Sequence, residues 1–258
     1  MNPNVEADRA APVLKRLVAQ GRYELVAMLK NAEQLMLNIA FPVMALFAMV
    51  WTSFIDSYAQ EINSSRVDAA VPGVLALCLI STALSGQGIA TGFDRRYGVL
   101  RFLSTTPLGQ TGLILGKILA VLAVLMLQFL VIGSAALLLG WRPNFISILL
   151  SIPTMLLGAA AFTALGLLIA GTVRAEATLA IVNMAWVLLA AGGGTLLPVS
   201  HYPAPLEQLA SILPSGALGT AFRAEFSSQE FMMGPHLILM IWTLACGLLA
   251  RRYFKWSS

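Results

Sequence analysis

The amino-acid sequence predicts an all-α integral membrane protein. Its expected parts are six transmembrane helices, an N-terminal amphipathic interfacial helix and short external helices before the last span. Three observations carry this reading. Charged residues are 11% of the 258 and hydrophobic ones 58%, whereas a soluble domain carries about 25% charged residues. Mean hydropathy is +0.81. The apolar residues gather into six runs, each near the roughly 20 residues needed to cross the hydrocarbon core. Too little charge remains to solvate a globular surface. The net charge of +4 is therefore no nucleic-acid signature, and its distribution among loops matters more.

Taken in order, residues 1–12 read as a polar, flexible cytoplasmic tail without a signal-peptide hydrophobic region. Residues 13–30 follow as an amphipathic helix: Leu14, Leu17, Val18, Gly21, Leu25, Met28 and Leu29 share one stripe, while Lys15, Arg16, Arg22 and Lys30 lie elsewhere. Such a helix is expected in the cytoplasmic headgroup region, its stripe toward membrane lipid and its cations near anionic headgroups. A merely charged lead-in to the first span is the competing reading.

The spans are expected over 35–55, 70–92, 113–140, 145–173, 177–197 and 235–254. A tight turn at Trp141–Asn144 makes a hairpin of the third and fourth. Pro42 and Pro153 should kink their spans. Gly158, Ala159, Thr163, Gly166 and Ala170 give the fourth small residues for close helix contact. With both termini cytoplasmic, 13 of the 16 basic residues fall inside, and only Arg66, Arg142 and Arg223 fall outside. That asymmetry is the one that insertion favours.

Between the second and third spans, Asp94, Arg95, Arg96 and Arg101 flank Tyr97, Leu100 and Leu103, which recur every three residues as on one side of a short helix. A helix over 94–104 is expected, stopped by Pro107 and Gly109, with Lys117 at the edge of the next apolar run. A charged helix held between two spans is a mechanical handle. An ordinary loop with topogenic arginines is the alternative. Before the last span, Pro205 opens a short helix with Leu206, Leu209, Ala210 and Leu213 on one face, and Pro214 closes it. Leu218, Phe222 and Phe226 suggest a second, carrying Arg223 and Glu225. These helices could dip into the outer leaflet or lie on its surface; periodicity leaves both open.

Reactive chemistry has no candidates. The nearest approach to a P-loop, Gly112–Ile118, is one residue short between its glycines and has Ile118 where a magnesium-binding hydroxyl belongs. His201 and His236 read as ordinary interfacial histidines. Cys78 and Cys246 read as small apolar side chains. A secondary transporter or channel, the main alternative from another class, usually carries ionisable groups well inside a span. Here Asp56, Asp68, Arg174 and Glu176 all fall at edges.

Two segments resemble a known family. FDRRYGVLRFLSTTPLGQTGLILGK (93–117) has an acidic-basic pair, a glycine, a leucine-rich turn and a Thr-Pro before Gly-Lys. YPAPLEQLASILPSGALGTAFR (202–223) has prolines, a short helix and a terminating arginine. In this order among six spans, the chain resembles the membrane-spanning permease subunit of ABC-2 type exporters, close to the daunorubicin-resistance permease group, over nearly its whole length. The resemblance implies the ABC-2 (type V) exporter fold in a cell (inner or plasma) membrane. It makes residues 94–104 the coupling helix, with Asp94, Arg95, Arg96, Tyr97, Gly98, Leu100, Arg101, Leu103, Thr106 and Pro107 at a groove on a separate ATP-binding subunit. It marks Pro205, Leu206, Leu209, Leu213, Pro214 and Arg223 as the external short-helix segment. It further implies two ATPase copies, which hold the ATP and Mg, no cofactor on this chain, and a second permease chain, identical or paralogous. The implied cargo is amphipathic or lipophilic, drug- or lipid-like; polysaccharide and haem-type exporters share the family. Acidic residues are usual around the coupling glycine, yet this chain keeps only Asp94 beside Arg96, Tyr97 and Arg101. The partner's groove is accordingly expected to be more acidic than usual.

Overall fold

Asn31 divides the first helix from the second: its side chain accepts the Gln34 N–H and so caps the start of the next helix. In the computed structural model, which describes residues 11–254, helix α1 (Val13–Lys30) therefore ends where α2 (Ala32–Trp51) begins. The chain continues through α3 (Asp56–Glu61), α4 (Arg66–Arg96), α5 (Val99–Ser104), α6 (Gly109–Leu138), α7 (Phe145–Thr172) and α8 (Ala175–Gly192). It closes with α9 (Ala204–Ile212), α10 (Pro214–Arg223) and α11 (Met233–Tyr253). There is no strand among the described residues. Six of the helices, α2, α4, α6, α7, α8 and α11, are long and apolar enough to cross a membrane. The expectations for residues 1–10 of the tail and for Lys255 lie outside the described residues.

Helix ends depart from the hydropathy runs because caps, not apolarity, set them. The second span, expected over 70–92, starts at Arg66: Ser65 caps it by accepting the Asp68 N–H, and Arg66 makes a two-pronged ion pair with Asp56 at 2.5 and 2.8 Å. It runs on to Arg96. The first span ends at Trp51 rather than at 55, where Thr52 turns extended and its hydroxyl accepts the Phe54 N–H. The third begins four residues early, at Gly109, and the fifth stops at Gly192 instead of 197, just before Gly194 takes a φ of +74°. The fourth and sixth shift by one or two residues.

The second span is the post of the bundle. Of its most apolar stretch 94% is buried, against 22% for α2, α8 and α11, whose outer faces are left for lipid or partners. Close approach makes this possible: a Cβ on Gly166 of α7 would sit 2.8 Å from the Leu84 carbonyl oxygen of α4. A π turn at Ser81–Gly86 interrupts α4 there. Its hydroxyls join a polar layer between helices, Thr82 donating to Gln128 Oε1 at 2.9 Å and Ser81 to Asn38 Oδ1 at 3.2 Å.

Helix α1 does more than float on a surface. It packs along α6, where a Cβ on Gly116 would lie 2.5 Å from Gln20 Cγ. The packed edge is Gln20, Gly21 and Glu24, all buried. The apolar stripe is thereby split, with Leu14, Val18 and Leu29 facing outward. The two short helices before the last span also part company. Leu206 and Leu209 of α9 are exposed, whereas α10 is buried against α4, α7 and α11. Pro214 belongs to the start of α10 and Leu213 to the bend before it, so the proline opens the second helix rather than closing the first.

Candidate coupling site

The stretch expected as one helix over 94–104 is two. Tyr97 and Gly98 form a turn after α4, Gly98 takes a left-handed φ of +78°, and α5 starts at Val99. A glycine is needed here because a side chain in that backbone region is strained. The break redirects the chain, so charges that share one periodicity in sequence do not share one surface.

Most of the expected docking residues look inward. Arg95 is buried, and its guanidinium donates to the carbonyls of Ala170, at 2.9 Å, and Val173. It thus caps the end of α7, where carbonyl groups concentrate negative potential. Leu100 is fully buried with Leu113 and Phe254, and Leu103 and Leu108 pack on that cluster. The Thr106 hydroxyl donates to the Leu103 carbonyl at 2.7 Å. Arg96 is half-exposed and pairs with Glu176 of α8 at 2.8 Å. Tyr97, Gly98, Arg101 and Pro107 remain at the surface.

Asp94 is not free either. Lys117 of α6 is completely buried; its ammonium donates to Glu24 Oε2 at 2.8 Å and to Asp94 Oδ2 at 3.3 Å. Gln20 Nε2 adds a bond to Glu24 Oε1 at 2.8 Å. One lysine therefore joins α1, α4 and α6. It lies on the ninth residue of a helix long enough to cross a membrane, not at the edge of an apolar run.

The exposed rim of α5 carries a residue the sequence reading passed over. Phe102 is 70% exposed, next to Arg101, and Tyr97, in the turn before α5, is 73% exposed. Both large aromatic rings border solvent on a segment otherwise pinned by Arg95 and Leu100. Phe102 also lines a groove of about 390 Å³ between α5 and α1, with Ala19, Tyr23, Val99 and Leu103. Arg16 closes one end by donating to the Pro107 carbonyl. The signal was available: Phe102 follows Arg101 on a helix whose other side is spoken for by Leu100 and Leu103.

The segment expected outside the membrane is a scaffold in this chain. Arg223 is buried and donates to the carbonyls of Thr195, at 2.9 Å, and Gly194, at 2.5 Å, tying α10 to the turn after α8. Burial lowers its pKa to about 10, so it stays charged at neutral pH. Two residues on, Glu225 is fully buried; it accepts the Thr154 hydroxyl, and His236 Nε2 lies 3.5 Å from its Oε1. Burial pushes its carboxyl up to about 8, against the pull of the Thr154 hydrogen bond. Pro205, Leu206 and Leu209 are exposed, and Leu213 is half-buried. No cluster of three or more His, Cys, Asp or Glu suited to a metal ion occurs among the described residues.

Compared with known families, residues 16–227 match the family model described as ABC-2 type transporter, well over half of the chain, from α1 to the turn after α10. No curated protein matches it.

Proposed function

The chain belongs to the ABC-2 type transporter family and is a multi-pass permease subunit of an ABC transporter, a transport component whose partner is an ABC ATP-binding protein; from that premise we propose that α5 is where the partner docks and from which its motion enters the membrane. The observation that supports this is the two-sidedness of α5. Its inner side is fixed to the bundle by Leu100, its outer side presents Arg101 and Phe102, the latter lining an apolar groove, and Tyr97 is exposed in the turn before it. A charged rim around aromatic anchors suits a protein interface.

Such a push has a route inward. α5 leads directly into α4, the most buried span, and into α6 through Leu108 and Leu113. Two ATP sites close between two ATPase subunits, so the working assembly is two permease chains, identical or paralogous, with two ATPases. The cargo is amphipathic or lipophilic, and it leaves the cell between the two permeases. Both termini lie in the cytoplasm, the side to which most cations fall.

Co-purification with the ATP-binding subunit, followed by ATP hydrolysis and transport in proteoliposomes, tests the reading. The expected result is a complex holding two permease chains and two ATPases, with hydrolysis that rises with cargo. A transport-competent assembly with a single permease copy would overturn it.

A further inference from the structure

A cavity of about 430 Å³ lies between α1, the start of α2 and the second half of α4, within the size range of small-molecule sites. Coupling to the ATPase does not use it. Its lining holds three carboxylates, Glu24, Glu33 and Asp94, and no lysine or arginine among the described residues. Lys117 behind the wall gives its ammonium to Glu24 and Asp94, which leaves the wall with a surplus of negative charge.

Two of the amide donors in the lining are used within the protein: Gln34 Nε2 donates to Asn38 Oδ1 at 3.0 Å, and Gln87 Nε2 meets Met28 Sδ at 3.1 Å. One buried acceptor is left over. Gln87 lines the cavity, is 1% exposed, and its Oε1 has no partner. A buried acceptor without a donor is costly to keep, and a ligand that brings N–H groups relieves that cost. Around this acceptor and the carboxylates stand Tyr23 and Phe93, whose ring faces attract cations, and the aliphatic Leu35 and Leu37.

We propose that this cavity binds the ammonium head of an amphipathic amine, with Glu33, Asp94 and Gln87 around the nitrogen and the aromatic and leucine side chains against its apolar part. An anionic head would be repelled by the carboxylates, and a neutral one would bring no charge to offset theirs. Two sources share this chemistry: a transported lipophilic amine and the ethanolamine head of a membrane phospholipid. The first deepens the reading of the chain as a permease and rests on it.

The full chain in phosphatidylcholine nanodiscs, without ATP or partner, is the material for the test, and radiolabelled dodecylamine is the probe, with counts in empty nanodiscs subtracted. Binding should saturate near one amine per chain, and dodecanol at equal concentration should not displace it. Glu33→Gln removes a charge that no other residue relies on and should weaken binding about fivefold, the scale of an exposed charge pair. Gln87→Lys, which puts a cation into the site, should abolish saturation; the melting temperature of each variant checks that it is folded. Displacement by dodecanol, no saturable component, or unchanged binding in both folded variants would overturn the proposal. Added phosphatidylethanolamine that competes with the probe assigns the site to a lipid head, and its failure to compete assigns it to a free amine; both support an ammonium site. Because ATP hydrolysis and ATPase docking are not read here, failure of this test leaves the coupling reading standing, and the reverse also holds.

Discussion

Lys117 and Glu24, 93 positions apart, meet as a buried ion pair with the ammonium nitrogen 2.8 Å from Oε2. Neither residue is worth burying alone, since a charge taken out of water needs its partner close. The pair fastens α1 to α6, and Asp94 extends it to α4. The N-terminal helix is thus part of the bundle at the site where α5 begins, and it forms one wall of the groove beside Phe102.

Removing the lysine tests how much that fastening contributes. Lys117→Met fills similar volume but leaves two carboxylates without their cation. Breaking a buried pair from one side costs about 3–5 kcal/mol, or roughly 10 °C in melting temperature for a chain of this size. Adding Glu24→Gln should restore part of the loss, because the remaining buried charge is then smaller. A single-variant melting temperature within a degree or two of wild type would show that the triad is not a structural fastener.

The class and number of spans were legible because they depend on sums of apolar side chains, which composition and run length report directly. Helix ends were not, since Ser65, Asn31 and Thr52 set them through single hydrogen bonds that hydropathy does not register. The 94–104 segment shows the same limit inside one motif. Tyr97, Leu100 and Leu103 have helical spacing, but one left-handed glycine between them divides the helix and separates Tyr97 from Leu100 in exposure. Lys117 escaped because its partners come from 93 and 23 positions away. Glu24 could have been suspected as an acid at the edge of the apolar stripe, beside Gly21, where another helix can approach.

Orientation has a direct check. Ser64, Ser104 and Ser228 are exposed and lie on loops or short helices outside the spans, and both native thiols, Cys78 and Cys246, are buried. A cysteine at Ser104 should react with a membrane-impermeant maleimide only from the cytoplasmic side, and cysteines at Ser64 and Ser228 only from outside. Labelling of the Ser104 position from outside would reverse the topology and remove α5 from reach of any cytoplasmic ATPase.

Glu225 should make stability depend on pH. Its folded pKa, about 8 through burial, lies above the ordinary 4.5, so the folded state holds a proton that the unfolded state has lost. Between these values the folded state binds more protons, and stability falls as pH rises from about 4.5 to about 8, then levels off. The neutral isostere Glu225→Gln removes this contribution. Melting temperatures across pH 5 to 8.5 should therefore decline more steeply for wild type than for Glu225→Gln. Parallel curves would mean that Glu225 is ionised in the folded protein, held by the Thr154 hydroxyl.

Arg101 and Leu100 are neighbours with opposite surroundings, and together they separate docking from folding. Leu100 has no exposed surface and is packed on Leu113 and Phe254. Leu100→Asp therefore places a charge in the permease's own core and should lower its melting temperature and yield before any partner is involved. Arg101 is exposed and makes no ion pair among the described residues. Arg101→Glu should leave expression, topology and melting temperature unchanged. If Arg101 meets an acidic groove on the ATPase, reversing its charge replaces attraction by repulsion, a change of several kcal/mol in order of magnitude. ATPase co-purification should then fall at least tenfold, and hydrolysis should lose its link to transport. A Glu-to-Lys or Asp-to-Lys change in the partner's groove should restore Arg101→Glu and do nothing for Leu100→Asp. Normal export by Arg101→Glu with an unmodified ATPase would return Arg101 to the role of a topogenic loop cation, and leave Phe102 and the apolar groove to carry the docking alone.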